Sequence, residues 1–444
     1  MKAIHFSTFI ATSLLLLFVS VLKAQQPIDP LTGTERSTVI DSVSSKLIHN
    51  YVFPQVAENM AAGLKTKLKS GSYNSIDDPQ EFANMLTQDL QEVSKDKHLR
   101  VTFAPRQIAE QIEAVSAEDS LQLLNRWVSS MKRNNFGFQE LKILSGNIGY
   151  LDLRSFSNVE YAGETAVAAM NFLSSSDAII IDLRQNGGGS PAMIQLITSY
   201  LFGSEPVHLN NFYWRPNDSN SQTWTLPHVY GKRSPDTPVY VLTSGRTFSA
   251  AEEFSYNLKN LERATLIGET TGGGAHPGGS VIATDRFMVW VPTGRAINPI
   301  TNTNWEGTGV SPHIEVPAQE ALETAHIKAL EDLSIKNKDP ELANFYRWNI
   351  DGLQAQLNPV TIDAKHLKEF AGNYGPRKVS FNEGKLYYQR EDGPKYALIP
   401  LNESTFILDG LSYFRIKFLK EKGKVVAVEG QYDDGRTDKN LRTK

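Results

Sequence analysis

The sequence predicts a mixed α/β core that follows a helical region and precedes a small antiparallel β region. Three patterns predict this order. Apolar residues first recur at helical spacing, then short apolar strands alternate with helices, and finally short strands are separated by turns. The predicted domains are an N-terminal helical domain (25–135), an α/β core (136–318), a helical connector (319–358) and a C-terminal β domain (359–444).

Composition narrows the classes of function. A chain of 444 residues predicts more than one domain. The net charge of −4 gives no basic excess to pair with phosphates, which argues against a nucleic-acid partner. The absence of cysteine excludes disulfides, a thiol nucleophile and thiolate metal sites. The nine histidines are scattered and H-E-x-x-H is absent, so the sequence predicts no metal and no other cofactor.

The first residues have the pattern of a secretory signal peptide. Lys2 gives a positive start, Phe9–Val21 is apolar, and cleavage is expected near Ala24, so residues 1–24 form the predicted signal. A retained anchor helix is the alternative, but the apolar stretch is short for a bilayer. We therefore expect an exported protein, periplasmic or extracellular, without a membrane span in its mature form. The sequence predicts no particular oligomeric state.

Three amphipathic helices are predicted between residues 35 and 95. The third begins at Asp78–Pro79, an N-cap followed by proline at the first helical position. His98 then lies on the loop that enters an alternating strand, residues 99–103. A lone histidine in such a place is usually an ordinary surface residue, although its charge can change near neutral pH. Residues 119–133 predict a further helix.

Ser249 is the candidate nucleophile of the α/β core. The apolar run Val239–Leu242 predicts a buried strand, and Ser249 opens the helix that follows the next turn. A helix N-terminus offers free N–H groups and a partial positive charge to an oxyanion. Ser249 and Glu252 also form S-x-x-E, a capping box, which needs only a hydroxyl. This stretch alone leaves both interpretations open.

Two glycine-rich loops supply further candidates. Gly187–Gly189 follow the predicted strand Ala178–Leu183 but lack the spacing of a phosphate-binding loop. The other use of such a loop is to let backbone N–H groups approach a ligand closely, which glycine permits. His276, in the loop 270–277, has either a structural role or a contact with substrate. Glu306 by itself is an ordinary loop carboxylate. Spacing does not show that these residues meet.

From Asp41 to about Pro317 the chain resembles the tail-specific (C-terminal-processing) serine peptidase family, which includes the tricorn protease core. It is especially similar to the modules of interphotoreceptor retinoid-binding protein. The matching stretches, in family order, are NYVFP, DDPQEFANMLTQDLQ, IGYLDLRSF, IIIDLRQNGGG, VLTSGRTFSAAEEF, RATLIGETTGGG and WEGTGVSP. The resemblance implies a core of the ClpP/crotonase-like type that hydrolyses peptide or protein substrates.

The resemblance also implies roles for individual residues. Ser249 matches the nucleophile, His98 the general base of the tricorn-like branch, and Glu306 that branch's glutamate, which orients the base through an intermediate group. The implied oxyanion hole consists of backbone amides, those of Ala250 and of Gly187 or Gly188.

Departures from the family pattern define the subtype. Gly272–Gly274 occupy the place of the lysine base of the bacterial tail-specific branch, so a Ser–Lys dyad is not expected. Lys97 stands where the tricorn-like branch has a serine before its histidine, which leaves open what links Glu306 to His98; Asp96 is a possible orienting group. Residues 104–139 are too few for the PDZ domain that the family usually carries.

Three hypotheses follow for the function. The first is an exported serine endopeptidase, favoured because Ser249 and His98 are both present, whereas the retinoid-binding modules have lost both. The second is a non-catalytic binding module for an apolar ligand such as a lipid or isoprenoid, analogous to those modules. The third assigns the function to the C-terminal β domain, which would bind a glycan or a partner while the core is degenerate.

Overall fold

The computed structural model of the protein describes residues 29–113 and 116–443. The predicted signal peptide lies outside the described residues. None of the described helices combines the length and the apolar character that crossing a bilayer requires.

The N-terminal part consists of helices and one short strand. Three helices occupy residues 33–94, as the apolar periodicity predicts, and the Asp78 carboxylate accepts the N–H of Glu81 at 2.7 Å as the predicted N-cap. A short helix that the sequence did not reveal follows the strand; of its residues only Ile108 is buried. The elements are α1 (Gly33–Asn50), α2 (Pro54–Lys69), α3 (Pro79–Ser94), β1 (Arg100–Phe103), α4 (Pro105–Glu113) and α5 (Ala117–Arg133).

The central part is the predicted mixed α/β core. Its elements are β2 (Phe138–Leu144), β3 (Ile148–Leu153), α6 (Val159–Leu173), β4 (Ala178–Asp182), α7 (Pro191–Tyr200), β5 (His208–Trp214), β6 (Ser219–Trp224), β7 (Val239–Thr243), α8 (Ala250–Asn260), β8 (Ala264–Gly268), β9 (Gly278–Ile282), β10 (Phe287–Pro292), β11 (Gly294–Ile297) and β12 (Ile314–Glu315). Six strands form a sheet in the order β12-β8-β7-β4-β3-β2, parallel except for β2. Helices α6, α7 and α8 bury their apolar sides against one face of this sheet.

Two small sheets flank the six-stranded sheet. Residues 204–237 contain the hairpin β5–β6, which pairs with β11. The sequence did not reveal β6 because its residues are mostly polar and exposed, so the apolar alternation of a half-buried strand is missing. The other sheet has the order β1-β10-β9, and its strand β10 packs against the helices α1–α3.

The C-terminal part begins with helices and ends in a β-barrel. Its elements are α9 (Ala321–Lys336), α10 (Pro340–Leu357), α11 (Ala364–Phe370), β13 (Gly372–Tyr374), β14 (Arg377–Asn382), β15 (Lys385–Arg390), β16 (Lys395–Pro400), β17 (Thr405–Leu408), β18 (Leu411–Glu421), β19 (Lys424–Tyr432) and β20 (Thr437–Thr443). Helices α9 and α10 cover the second face of the six-stranded sheet. The predicted antiparallel β domain is confirmed as a closed barrel of β13–β20. The helix α11 lies within the residues predicted to form this domain.

Replacement of a buried leucine tests the packing of the helical region. Leu86 on α3 is fully buried, so Leu86→Ala should lower the free energy of unfolding by about 2–5 kcal/mol through lost burial and a residual cavity. Urea unfolding followed by circular dichroism measures this loss. Leu121→Ala is the control, because Leu121 on α5 is 54% exposed and should lose less than about 0.5 kcal/mol. Equal losses would contradict the described packing.

Candidate active site

Ser249 lies on a strained turn between β7 and α8. Its backbone has φ 56° and ψ −122°, and a positive φ is uncommon for a residue with a side chain. Since β4 and β7 are parallel neighbours, the loops that follow them meet at one edge of the sheet. We call residues 184–189 the first glycine loop and residues 244–249 the Ser249 turn.

Asn186 joins the first glycine loop to the Ser249 turn. Its side-chain amide donates to the carbonyl of Leu153 at 2.9 Å, and its side-chain oxygen accepts the N–H of Gly188 at 2.8 Å. Its carbonyl oxygen accepts the N–H of Phe248 at 3.0 Å. Asn186 is fully buried, so each of these bonds is costly to lose. The pattern of the sequence does not single out this residue.

Gly188 permits the close approach of the two loops. Its φ is 112°, and a Cβ atom there would lie 2.8 Å from the Cβ of Ser249. A larger residue would therefore push the serine out of place.

Two backbone amides beside Ser249 remain available. Of the two glycine amides that the resemblance offered for an oxyanion hole, that of Gly188 is engaged by Asn186. The structure records no hydrogen bond from the N–H of Gly187 or of Ala250 to another described residue. Of the two glycine amides, that of Gly187 is therefore without a recorded acceptor, as is that of Ala250.

Glu252 ties the Ser249 turn to residues 270–277, the second glycine loop. Its carboxylate accepts four hydrogen bonds, from the N–H of Ser249 (2.8 Å), the hydroxyl of Thr271 (2.5 Å) and the N–H groups of Gly273 (2.6 Å) and Gly274 (2.8 Å). Burial raises the pKa of Glu252, and these donors oppose that rise. The predicted capping box is present, and its recorded hydrogen bond is the one that Glu252 accepts from the N–H of Ser249.

The helix cap leaves the hydroxyl of Ser249 free for other contacts. The N–H of Glu252 donates to the carbonyl oxygen of Ser249 at 2.8 Å, and Ser249 makes no side-chain hydrogen bond that caps the helix. The two interpretations of Ser249 are therefore compatible: the position starts the helix without using its hydroxyl.

His98 packs against the Ser249 turn. Its side chain is 9% exposed, and its ring lies on that of Phe248 with 4.6 Å between the centroids. Neither ring nitrogen has a hydrogen-bond partner within the described part of the chain, so no hydrogen bond joins the His98 ring to Ser249. Burial lowers the pKa of His98 to about 4; the charge of His276 adds to this and that of Asp96 opposes it. His98 is therefore neutral near pH 7.

His276 contacts both carboxylates at the site. Its Nδ1 lies 2.8 Å from Oδ2 of Asp96 and 3.4 Å from Oε2 of Glu306. Burial, together with the nearby charge of Asp96, raises the pKa of Glu306 to about 7. The sequence left open what joins Glu306 to His98, and the structure places Glu306 beside His276. The ammonium group of Lys97 donates a hydrogen bond to the carbonyl oxygen of Gly272 at 2.5 Å.

The same three side chains are the candidates for holding a metal ion. Over residues 29–113 and 116–443, only Asp96, His276 and Glu306 bring three such donor atoms within 4.8 Å of one another. The 2.8 Å contact between His276 and Asp96 has the length of a hydrogen bond, so hydrogen bonding accounts for the cluster.

Comparisons with known proteins agree with the sequence motifs. Residues 147–316 match the model of peptidase family S41, and residues 31–132 match the model described as the N-terminal domain of Peptidase_S41 in eukaryotic IRBP. A carboxyl-terminal-processing protease of Synechocystis sp. is 30% identical over 128 residues, which are 29% of this chain and 28% of that protein. The chain thus matches less than a third of the length of this relative.

Solved structures give similar matches. A putative peptidase from Parabacteroides merdae matches 64% of this chain and 90% of its own, at 20% identity and a TM-score of 0.44. The photosystem II D1 C-terminal processing protease matches 65% of this chain and 94% of its own, at 15% identity and a TM-score of 0.43.

The two family models together cover more than half of the chain and define its class, a peptidase-type α/β core preceded by a helical domain. The chain belongs to peptidase family S41. The resemblance to the tail-specific serine peptidase family is thereby confirmed.

Replacement of Glu252 tests its hold on the Ser249 turn. In Glu252→Gln an NH₂ group faces one or more of the four donors, so the turn should shift and Ser249 should react with a fluorophosphonate on the order of 100-fold more slowly. Glu253→Gln is the control at pH 6. Burial raises the pKa of Glu253 to about 7, so this side chain is already mostly neutral there and should tolerate the amide. Equal reactivity of the two variants would contradict the role of Glu252.

Gly188→Ala tests the contact between the loops. The added methyl group would collide with Ser249 and strain a backbone at φ 112°, so labelling by the same fluorophosphonate should fall at least about tenfold. Gly245→Ala is the control, because a Cβ there meets nothing within 4 Å. Wild-type labelling of Gly188→Ala would show that the loops lie further apart than described.

Proposed function

We propose that the protein is an exported serine endopeptidase that hydrolyses peptide bonds through an acyl-enzyme. The observation that carries this proposal is the position of Ser249, on a strained turn at the start of α8 beside the unengaged amides of Gly187 and Ala250. Membership of peptidase family S41 supports peptide or protein substrates. The signal pattern in residues 1–24 supports export.

In the first half-reaction His98 takes the hydroxyl proton of Ser249 while Oγ attacks the peptide carbonyl carbon. The amides of Gly187 and Ala250 stabilise the oxyanion that forms. The C–N bond then breaks, and the leaving amine receives the proton from the imidazolium of His98. Hydrogen bonds between base and nucleophile are often unformed before substrate binds, which fits a His98 ring that contacts Phe248.

In the second half-reaction a water molecule replaces the amine. His98 takes a proton from the water as its oxygen attacks the acyl carbon, and the same proton returns to Oγ when the ester bond breaks. A neutral imidazole is needed at the start of each half, and the lowered pKa of His98 keeps it neutral across the physiological range. Glu306, which contacts His276, acts on this base indirectly.

One observation favours a second function, the binding of an apolar ligand. Residues 31–132 match a domain described from eukaryotic IRBP. This function ranks second because the chain has Ser249 and His98, whereas the retinoid-binding modules that it resembles have lost both. A carrier of this kind would quench its tryptophan fluorescence saturably with a lipid or isoprenoid, and Ser249→Ala would not alter the quenching.

Ser249→Ala tests the peptidase function. The variant should lose labelling by a fluorophosphonate, and its hydrolysis of a fluorescent casein should fall on the order of 10⁴-fold or more, because no other group can form the acyl-enzyme. Mass spectrometry of the wild-type adduct should locate the phosphonate on Ser249. Ser255→Ala, a buried serine of the same helix whose hydroxyl donates to the carbonyl of Ala251, is the control and should be labelled normally. Undiminished labelling of Ser249→Ala would overturn the assignment.

A further inference from the structure

Asp96 lies between the two histidines of the site. We propose that Asp96 and His276 are positioning residues that orient His98, stabilise its protonated form and connect it to Glu306. They would replace the intermediate serine that the tricorn-like branch has at the place of Lys97. This inference rests on the proposed function, in which His98 is the general base.

The two oxygens of Asp96 have different partners. Oδ1 accepts the backbone N–H of His98 at 3.0 Å and lies 3.7 Å from Nδ1 of the same ring. Oδ2 accepts the hydroxyl of Tyr51 at 3.2 Å and faces Nδ1 of His276 at 2.8 Å. Asp96 is 1% exposed, so its charge is hardly screened by solvent. One buried carboxylate therefore contacts both histidines.

His276 fixes the direction of that carboxylate. Its Nδ1 lies 2.8 Å from Oδ2 of Asp96, which is the length of a hydrogen bond, and 3.4 Å from Oε2 of Glu306. One imidazole therefore lies between the two carboxylates. The His276 ring is itself held edge-on by Phe53, with 5.3 Å between the centroids. Glu306 is anchored in turn by the N–H of Ala275 at 2.5 Å.

The need for this arrangement arises when His98 becomes protonated. Burial disfavours its imidazolium, so a nearby negative charge must stabilise the ion that forms during acylation. Of the described acidic groups, only Asp96 lies within 4 Å of a ring nitrogen of His98. A movement of less than 1 Å would shorten the 3.7 Å separation to a charge-assisted hydrogen bond.

Other titratable groups surround the cluster from the neighbouring elements. Tyr51 at the end of α1 donates to Asp96, and Glu252 of α8 adds negative charge near Glu306. Arg295 of β11 lies over the ring of Phe53, 5.9 Å from its centroid, and Lys97 faces Gly272. Within the cluster, burial and the nearby charge of Asp96 raise the pKa of Glu306 to about 7. Its ionisation should therefore be visible in the pH dependence of the reaction.

The experiment measures how fast a fluorophosphonate labels Ser249 between pH 4.5 and 9, in the full-length protein. In the wild type the maximal labelling rate should rise through about pH 7 as Glu306 ionises and the cluster gains negative charge. Glu306→Gln should lose this step while keeping the rate of the low-pH plateau. Asp96→Asn should lower the maximal rate at least about 100-fold with little change in the affinity for the probe.

Matched variants separate positioning from folding. Asp89→Asn is the control for Asp96→Asn, because Asp89 is also a buried carboxylate that accepts a tyrosine hydroxyl, that of Tyr73, in the same helical region. It should label within about twofold of the wild type. His276→Asn retains a donor near Nδ1 and should keep more of the rate than His276→Phe, which has none. If Asp96→Asn does not fold, the comparison of His276→Asn with His276→Phe tests the positioning role.

The outcomes distinguish the two proposals. A folded wild-type protein that is not labelled at Ser249 would overturn the serine peptidase function and this inference with it. Labelling of the wild type together with equal labelling of Asp96→Asn, equal rates for His276→Asn and His276→Phe, or a pH step that persists in Glu306→Gln would overturn the positioning role alone.

Discussion

The hydrogen bonds that the Glu252 carboxylate accepts are the interaction on which the rest of the site depends. It is fully buried and accepts bonds from both the Ser249 turn and the second glycine loop. A buried carboxylate that loses its donors bears a large desolvation cost, so the two segments are held together. Two further hydrogen bonds join the second glycine loop to residues 307–310. The hydroxyl of Thr271 accepts the N–H of Val310, and the N–H of Gly307 donates to the carbonyl of Gly273. The segment that carries Glu306 is thus fixed to the segment that carries His276.

The sequence predicts the fold where apolar periodicity is strong. The three N-terminal helices and the strands that form the centre of the six-stranded sheet follow from spacing alone, because each buries one regular face or is buried on both. The hairpin β5–β6 does not, since its stability comes from pairing with β11, a strand about 80 residues away in the sequence. Polar strands of this kind carry no local signal.

In the candidate site, too, the sequence predicts the local features but not the contacts between distant residues. Local sequence marks Ser249 and Glu252 as a helix cap. The bonds that Glu252 accepts from the N–H groups of Gly273 and Gly274 span about 20 residues, and spacing does not reveal them. The contact between Asp96 and His276 joins residues 180 positions apart. Asn186 was missed altogether, although an asparagine before a run of three glycines is a residue type whose side chain often bonds to the backbone two residues on. The resemblance implied residue roles, and the structure added the contacts of Glu252, Asp96 and His276 that spacing does not reveal.

The register of the β1-β10-β9 sheet explains how the two histidines come together. Arg100 of β1 pairs with Trp290 of β10, which pairs with Ser280 of β9, so these three residues form one row across the sheet. Both outer strands are antiparallel to β10 and therefore run in the same direction. The segments that precede these two strands therefore enter the sheet at the same end. His98 lies in the segment before β1, and His276 lies in the segment before β9.

This sheet also brings the N-terminal helices into contact with the candidate site. Strand β10 packs against α1–α3, and Tyr51 at the end of α1 donates directly to Asp96. The helices therefore fix the strand that sets the register and also contact the carboxylate that faces His98. The α/β core predicted at residues 136–318 contains Ser249 and the amides of Gly187 and Ala250, whereas Asp96 and His98 lie in the segment between α3 and β1. The helical region is accordingly one half of the site and not an accessory to it.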